Sequence, residues 1–434
     1  MDRRTFLGSA ALAASMLPLS SMVGAAPASR GRLLPVPLAK GDTIGLVSPS
    51  SATDDSFNLQ LAREAMEALG FKVKAGAHYD ARRGHLAGTD AQRAGDLNAM
   101  FADKTVKAII CTRGGSGAAR LLPVALNKGD TIGLVSPSSA TDDSFNLQLA
   151  REAMEALGFK VKTGAHYDAR RGHLAGTDAQ RAGDLNSMFA DKTIKAIVCT
   201  RGGSGAARLL PLLDYDSIRR NPKVLLGYSD ITALHSAIHA KTGLVTFHGQ
   251  IGSGSWNKFN VDQFQRVLLD RELVEYRNKI ELGDELVPRQ NRTITLRGGK
   301  ARGELVGGNL TVLTALAGSP YLPDFSGKIL FLEDVGEAPY RVDRMFSTLK
   351  LMGALDKLAG FIFGECTDCK PGDGYGSLTL EQIFDDYITP LKIPAYRGAM
   401  IGHIREQFIV PVGGKVELDA DAGTFRLLEP VFQA

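Results

Sequence analysis

The chain has 434 residues, 44% of them hydrophobic and 23% charged, the balance of a globular protein long enough for two domains. A formal charge of +4 is too small at this length to indicate a nucleic-acid or anionic-membrane partner, and no basic run with interleaved aromatics appears. Glycine is abundant, at 48 residues, which favours an α/β protein with many tight strand–helix turns.

Residues 1–28 read as an export signal. Asp2-Arg3-Arg4-Thr5-Phe6-Leu7-Gly8 carries a twin-arginine pattern, a mild apolar stretch runs from Ala10 to Leu19, and small residues offer cleavage after Ala25 or Ala28. The apolar stretch is too short to span a bilayer. The expectation is therefore a periplasmic or extracellular protein, exported already folded and without a stable membrane anchor.

Residues 40–123 recur at 128–211 with a constant offset of 88 and four differences: Ala75/Thr163, Ala99/Ser187, Val106/Ile194 and Ile110/Val198. Solenoid units are shorter and diverge, so this reads as a tandem duplication. Arg-Leu-Leu-Pro occurs at 32–35, 120–123 and 208–211, bracketing both copies. Each copy reads as strand–helix–strand–helix–strand. In the second, a buried strand over 130–135 ends at Ser136-Pro137-Ser138-Ser139. Asp142, Asp143 or Ser144 caps a helix with apolar positions Ala150, Ala153, Met154 and Leu157. Phe159 starts a second strand, Thr177-Asp178 opens a second helix, and the strand Ile194–Cys199 ends in Arg201-Gly202-Gly203-Ser204-Gly205. Such alternation predicts a doubly wound parallel sheet. Residues 33–123 are then an extra βαβαβ unit and 124–270 a Rossmann-like N-terminal domain.

Only the second copy runs on into a nucleophile turn. A short helix near Asp216–Arg220 and the strand Val224–Leu226 lead to Gly227-Tyr228-Ser229-Asp230, which passes directly into a helix. A tight strand-to-helix bend holds a serine hydroxyl clear of the backbone and turns helix N-terminal amides toward what it attacks. A strand near Leu244–Phe247 and a helix through Val261–Leu269 follow, and the polar stretch 271–290 reads as the link to a second domain, 291–434. That domain holds Gly307-Gly308-Asn309-Leu310 before a helix and the strand Lys328–Leu332 ending at Glu333-Asp334. A helix through Val342, Met345, Phe346 and Leu349, the strand Phe361–Phe363 and a β-rich tail over 408–428 complete it.

A serine needs a base to remove its proton. Of eight histidines, His78, His85, His166 and His173 belong to the repeat and are duplicated. His235 and His239 have metal-ligand spacing on one helix, but Ser236 stands where a zinc-protease helix carries Glu, so a packed or solvated face is favoured. His403, in the turn Gly402-His403-Ile404, is preferred to His248. Glu333 and Asp334 lie where open α/β sheets place ligands, although on pattern alone Glu333 reads first as a capping or surface acid. Cys111 and Cys199 end apolar strands and read as buried hydrophobes. Cys366 and Cys369 have half of a zinc-ribbon pattern; two unlinked loop cysteines are preferred to a redox pair or a strained disulfide.

Gly227-Tyr228-Ser229-Asp230, Leu332-Glu333-Asp334 with Pro339-Tyr340-Arg341-Val342-Asp343-Arg344-Met345, and Gly402-His403 with Pro411-x-Gly413 resemble the three signature blocks of the LD-carboxypeptidases, the muramoyltetrapeptide carboxypeptidase family of serine peptidases. Arg201-Gly202-Gly203 and Gly307-Gly308-Asn309-Leu310 fit the same pattern, and the resemblance runs from about residue 128 to the C-terminus. It implies Ser229 as nucleophile, His403 as general base and then acid, Glu333 as the group orienting His403, and the amides of Gly203 and Asp230 as oxyanion hole. Arg201, Gly308 and Asn309 become candidate substrate contacts, a structural ion pair being an equal reading for Arg201. The implied fold is a Rossmann-like N-terminal domain and a smaller β-rich C-terminal domain with the site between them, needing no metal or organic cofactor. The implied activity releases terminal D-alanine from murein tetrapeptides. Relatives acting on peptide–nucleotide antibiotics give a second reading, and a non-catalytic envelope protein disabled by the duplication a third. A homodimer would cover the unpaired sheet edge of the extra copy.

Overall fold

In a computed structural model, residues 38–49, 56–82, 87–112, 121–141, 143–280, 284, 286–288, 290–370 and 376–433 are described, so the expected export signal lies outside them. Strands Thr43–Val47 (β1), Lys72–Ala75 (β2) and Val106–Cys111 (β3) form a parallel sheet in the order β2-β1-β3, with helices Ser56–Ala68 and Asp90–Ala102 between them. The second repeat builds the same unit from Thr131–Val135 (β4), Lys160–Thr163 (β5) and Ile194–Cys199 (β6) with helices Ser144–Ala156 and Asp178–Ala190. Local signals set its helix starts. Asp143 accepts from the Phe145 amide, and Thr177 and Gln180 cap each other's backbone amides.

The second sheet then continues. Val224–Gly227 (β7) adds parallel to β6, and Thr246–His248 (β8) adds parallel to β7. The remaining strands are Glu275–Tyr276 (β9), Ile294–Arg297 (β10), Lys300–Asn309 (β11), Ile329–Val335 (β12), Gly360–Thr367 (β13), Ala395–Arg397 (β14), Val410–Val412 (β15), Lys415–Asp419 (β16) and Thr424–Leu427 (β17). All of them except β15 form one eight-stranded sheet, in the order β10-β14-β13-β12-β11-β16-β17-β9. The expected C-terminal domain is thus β-rich, but its sheet is the larger of the two. Its centre, β11 to β14, is parallel and interleaved with helices Leu310–Ala315, Pro339–Leu351 and Leu380–Tyr387.

Contacts join the parts of the chain on either side of 271–290. β15 leaves the C-terminal sheet and pairs antiparallel with β8, opposite His248. Phe432 stacks on Phe247 at 5.4 Å, and the Gln433 amide donates to the Pro123 carbonyl. Phe247, Leu305, Phe331, Ile401, Val410 and Phe425 consequently share one buried cluster that draws on both sheets. A continuous apolar core of this kind holds the two sheets in one relative position, because opening it would expose aromatic and branched side chains to water.

Beneath that junction, His239 Nε2 lies 2.7 Å and Lys328 Nζ 2.5 Å from the same Glu304 oxygen. Burial pushes the Glu304 carboxyl up, but its hydrogen bond to His239 and the Lys328 ammonium outweigh burial and hold it at about 2, below its ordinary 4.5. A depressed carboxylate contributes stability that is present above pH 4.5 and lost as the pH falls toward 2. Glu304→Gln is expected to lower stability at pH 7 and to flatten the loss over that acid interval. Urea unfolding at pH 7, 4.5 and 3 checks this; parallel losses in both proteins would exclude the cluster as the source.

The two repeats share a sequence but not an environment. Phe189 is fully buried against the elements that follow the second repeat, whereas its counterpart Phe101 is 74% exposed. Cys199 is buried as expected, but Cys111 is exposed. The cause is tertiary: β6 is covered by β7, and among the described residues no strand pairs with the corresponding edge of β3. Cys366 and Cys369 also depart from expectation and form a disulfide, since the turn at Asp368 (φ +57°) brings their Cα atoms to 5.4 Å.

Candidate active site

Ser229 follows β7 at a left-handed φ of +62°, an uncommon conformation for a residue with a Cβ. A 3-10 turn, Ser229–Ile231, leads from it into helix Thr232–Thr242. The strand end beneath is held by His235. Its Nε2 is 2.8 Å from the Gly227 carbonyl and its Nδ1 2.9 Å from the Thr246 hydroxyl. A carbonyl only accepts, so Nε2 carries the hydrogen and Nδ1 accepts from Thr246. Burial lowers the ring's pKa to about 4, so it is neutral at pH 7. The i, i+4 histidine pair is therefore a strut under the turn and a hydrogen-bond partner for Glu304, with both rings bound to protein groups.

His403 comes from the segment between β14 and β15. Its Nε2 is 3.0 Å from Ser229 Oγ and its Nδ1 is 2.8 Å from Glu333 Oε2. Glu333 is fully buried on β12, while the His403 side chain keeps 19% exposure. With a carboxylate on Nδ1, that nitrogen donates and Nε2 presents its lone pair to the serine hydroxyl. Two contacts fix the ring further: Tyr228 packs 4.9 Å from it, and the Thr367 hydroxyl donates to the His403 carbonyl. The alternation of a strand separates the two acids that the sequence left adjacent. Asp334 faces the other way, accepting from Asn309 Nδ2, the Thr311 amide and the Thr311 hydroxyl. His248 is fully buried, with Phe331 at 5.3 Å and Tyr228 at 6.1 Å. Burial first, and the neighbouring histidine rings second, hold its pKa well below 6.5. It does not approach Ser229 Oγ as His403 does.

The glycine loop after β6 closes the other side. A Cβ on Gly202 would sit 2.8 Å from Ser229 Cβ and 3.1 Å from its Oγ, so the loop backbone lies directly against the serine. Gly203 follows, packed on Ser139, whose Oγ accepts from the Ser204 amide. Two buried charged side chains that the sequence reading passed over pin this loop. Asp230 accepts from the Ser138 hydroxyl at 2.5 Å and from the Ala206 amide at 2.8 Å. Burial raises its pKa against the lowering effect of these hydrogen bonds. Arg181, 1% exposed, donates to the carbonyls of Pro137 and Gly205 and to Asp178. The available signal was an arginine one residue before Ala182 on the apolar face of its helix, where a buried guanidinium needs loop carbonyls as acceptors. Asp230→Ala leaves a buried hydroxyl and amide unpaired, so a stability loss of about 1–3 kcal/mol is expected. A fall in kcat with little change in KM should accompany it as the glycine loop loosens. Unfolding curves and steady-state kinetics at wild-type values would show that this carboxylate does not hold the loop.

The three candidate substrate contacts each have protein partners. Gly308 and Asn309 pack against the start of helix Thr232–Thr242. A Cβ on Gly308 would meet Thr232 Oγ1 at 2.4 Å, and the Asn309 amide donates to that hydroxyl while its side chain binds Asp334 and caps Val312. Arg201 is half-buried and donates through Nη1 to the Ala140 carbonyl, bracing the loop after β4.

This architecture has known relatives. The LD-carboxypeptidase N-terminal domain matches residues 44–128 and again 132–249, and the LD-carboxypeptidase C-terminal domain matches 302–418. A probable murein peptide carboxypeptidase of Bacillus subtilis is 41% identical over 302 residues, covering 68% of this chain and 91% of the relative. The murein tetrapeptide carboxypeptidase of Pseudomonas aeruginosa is 34% identical over 297 residues, covering 67% and 93%. Among solved structures, the microcin C7 self-immunity protein MccF in its wild-type apo state superposes with a TM-score of 0.66 at 30% identity, covering 72% of this chain and all of that one. Two matched domains in order, and relatives spanned over nine-tenths of their length, place this chain in the LD-carboxypeptidase family of peptidases.

Proposed function

We propose that the protein is an exported serine carboxypeptidase that releases terminal D-alanine from murein tetrapeptides. The reading rests on the unbroken hydrogen-bond chain Ser229–His403–Glu333. His403 takes the Ser229 proton as Oγ attacks the carbonyl of an amide between an L-configured centre and D-alanine. The resulting oxyanion is held by the amides of Gly203 and Asp230, where loss of one donor typically costs about 10²–10³ in rate. Imidazolium hands its proton to the departing amine, and water then clears the acyl-enzyme by the reverse path. Arg201 is the cation offered to the substrate's terminal carboxylate. Export is supported by Arg3-Arg4 with the apolar stretch behind them, and by the Cys366–Cys369 disulfide, which suits an oxidising compartment.

The test is chromatographic detection of free D-alanine after incubation with murein tetrapeptide, with the tripeptide as control. Release from the tetrapeptide alone is expected. A second reading, hydrolysis of a peptide–nucleotide or aminoacyl-sulfamoyl-nucleoside conjugate, is favoured by the likeness to MccF, solved with glutamyl sulfamoyl guanosine at a TM-score of 0.66. Cleavage of such a conjugate with an untouched tetrapeptide would replace the first reading by the second.

A further inference from the structure

We propose that the two repeats compete for a single cradle, so that residues 32–123 dock where 120–211 dock and displace them. The cradle lies outside the repeats. Helix Asp178–Ala190 buries Leu185, Met188 and Phe189 in one cluster with Ile218, Leu225, Ile231, Leu234 and Ile238, and β6 pairs with β7. The first repeat folds to the same unit in the same register, including the same irregularity after its first strand residue, at Thr43/Ile44 and at Thr131/Ile132. Yet it leaves Phe101, Cys111 and the β3 edge uncovered. It is a second key cut to a lock that the first key's twin already fills.

The differences between the repeats do not forbid the exchange. The two in the third strand, Val106/Ile194 and Ile110/Val198, add and remove one methylene in the same strand, conserving volume overall. The segment that ties the second repeat to the body is itself repeated. The Leu121 amide donates to the Gly243 carbonyl, the Val124 amide to the Pro222 carbonyl, and Leu126 is fully buried. Leu33, Val36 and Leu38 stand at the matching sequence positions, so the donors needed are present; Pro37 replaces Ala125, which is neither of these donors. In the exchanged form, residues 124–211 become an insertion between Pro123 and Leu212. Leu212 is 47% exposed, so the insertion emerges at the surface, where long insertions cost little. In either form one repeat is covered and one is not; the exchanged form gives up the exposed Arg271–Asn127 hydrogen bond, because Ala39 stands at the position matching Asn127.

Thiol accessibility reads the exchange without relying on the proposed activity. In a full-length Cys111→Ser protein kept unreduced, Cys199 is the one free cysteine, buried when the second repeat is docked and exposed when it is displaced. Its native-state maleimide labelling should be at least about tenfold faster than in Cys111→Ser with Leu46→Asp, which places a charge in the fully buried centre of β1 and stops the first repeat docking. Equal rates in the two proteins, fast or slow, would overturn the proposal. A second arm uses peptide hydrolysis. Leu134→Asp alone should stay active through the first repeat, and Leu46→Asp with Leu134→Asp should not. An inactive Leu134→Asp beside an active Leu46→Asp would also overturn it.

Discussion

Ser229→Ala is expected to reduce hydrolysis by about 10⁴–10⁶-fold, leaving only the rate supplied by substrate binding and the oxyanion amides. His403→Ala should cost about as much, and the double variant no more than either alone, because a nucleophile and its base act as one unit. Glu333→Gln isolates the third member. It preserves shape but offers the Nδ1 position a donor as well as an acceptor, permitting the wrong imidazole tautomer, and a loss approaching 10⁴ is expected. Single-turnover kinetics on the tetrapeptide, beside urea unfolding of each variant, form the check. Ser229→Ala should change stability little, whereas His403→Ala also leaves the fully buried Glu333 carboxylate without its partner and should lower stability by about 1–3 kcal/mol. Additive losses in the double variant, or hydrolysis that survives Ser229→Ala, would remove the proposed mechanism.

Gly202→Ala should have the next largest effect, through space alone. Its φ lies outside the left-handed region, so alanine can adopt the backbone without strain. The new methyl, however, would lie 2.8 Å from Ser229 Cβ and 3.2 Å from the Tyr228 carbonyl. Either the loop backs away from the serine or the serine turn yields. Both move the reacting oxygen relative to the amides that would hold the oxyanion. A displacement on the order of 1 Å costs about 10² in rate, against a stability change of about 1 kcal/mol. Rate loss in kcat with nearly unchanged unfolding is the expected signature. An active Gly202→Ala would mean that this loop does not border the reacting oxygen.

These two variants separate what each level of description supplies. The Gly227–Asp230 bend, the alternation of strands and helices, the repeat and the caps at Asp143 and Thr177 are local features, carried by residues next to one another in the chain. They were legible because backbone sterics and short-range hydrogen bonds decide them. The preference for His403 over His248 was legible only weakly, as a glycine-bearing turn against a strand end.

What needed the tertiary structure was every choice between near neighbours or identical segments. Glu333 and Asp334 sit side by side in the chain, and only the pleat of β12 sends one to His403 and the other to Asn309 and Thr311. Asp230 was noticed for its amide, while its side chain does its work across 92 residues at Ser138. Asn309 was legible only as part of a Gly-Gly-Asn pattern; the fold alone shows that it links Thr232 to Asp334. The Ser229 turn is unique in the sequence; the repeat unit that must flank it occurs twice. Composition cannot tell Phe101 from Phe189. What tells them apart is which helix has β7 and helix Tyr215–Arg220 beside it, since burial depends on neighbours in space and the chain specifies those neighbours only once for two equal claimants.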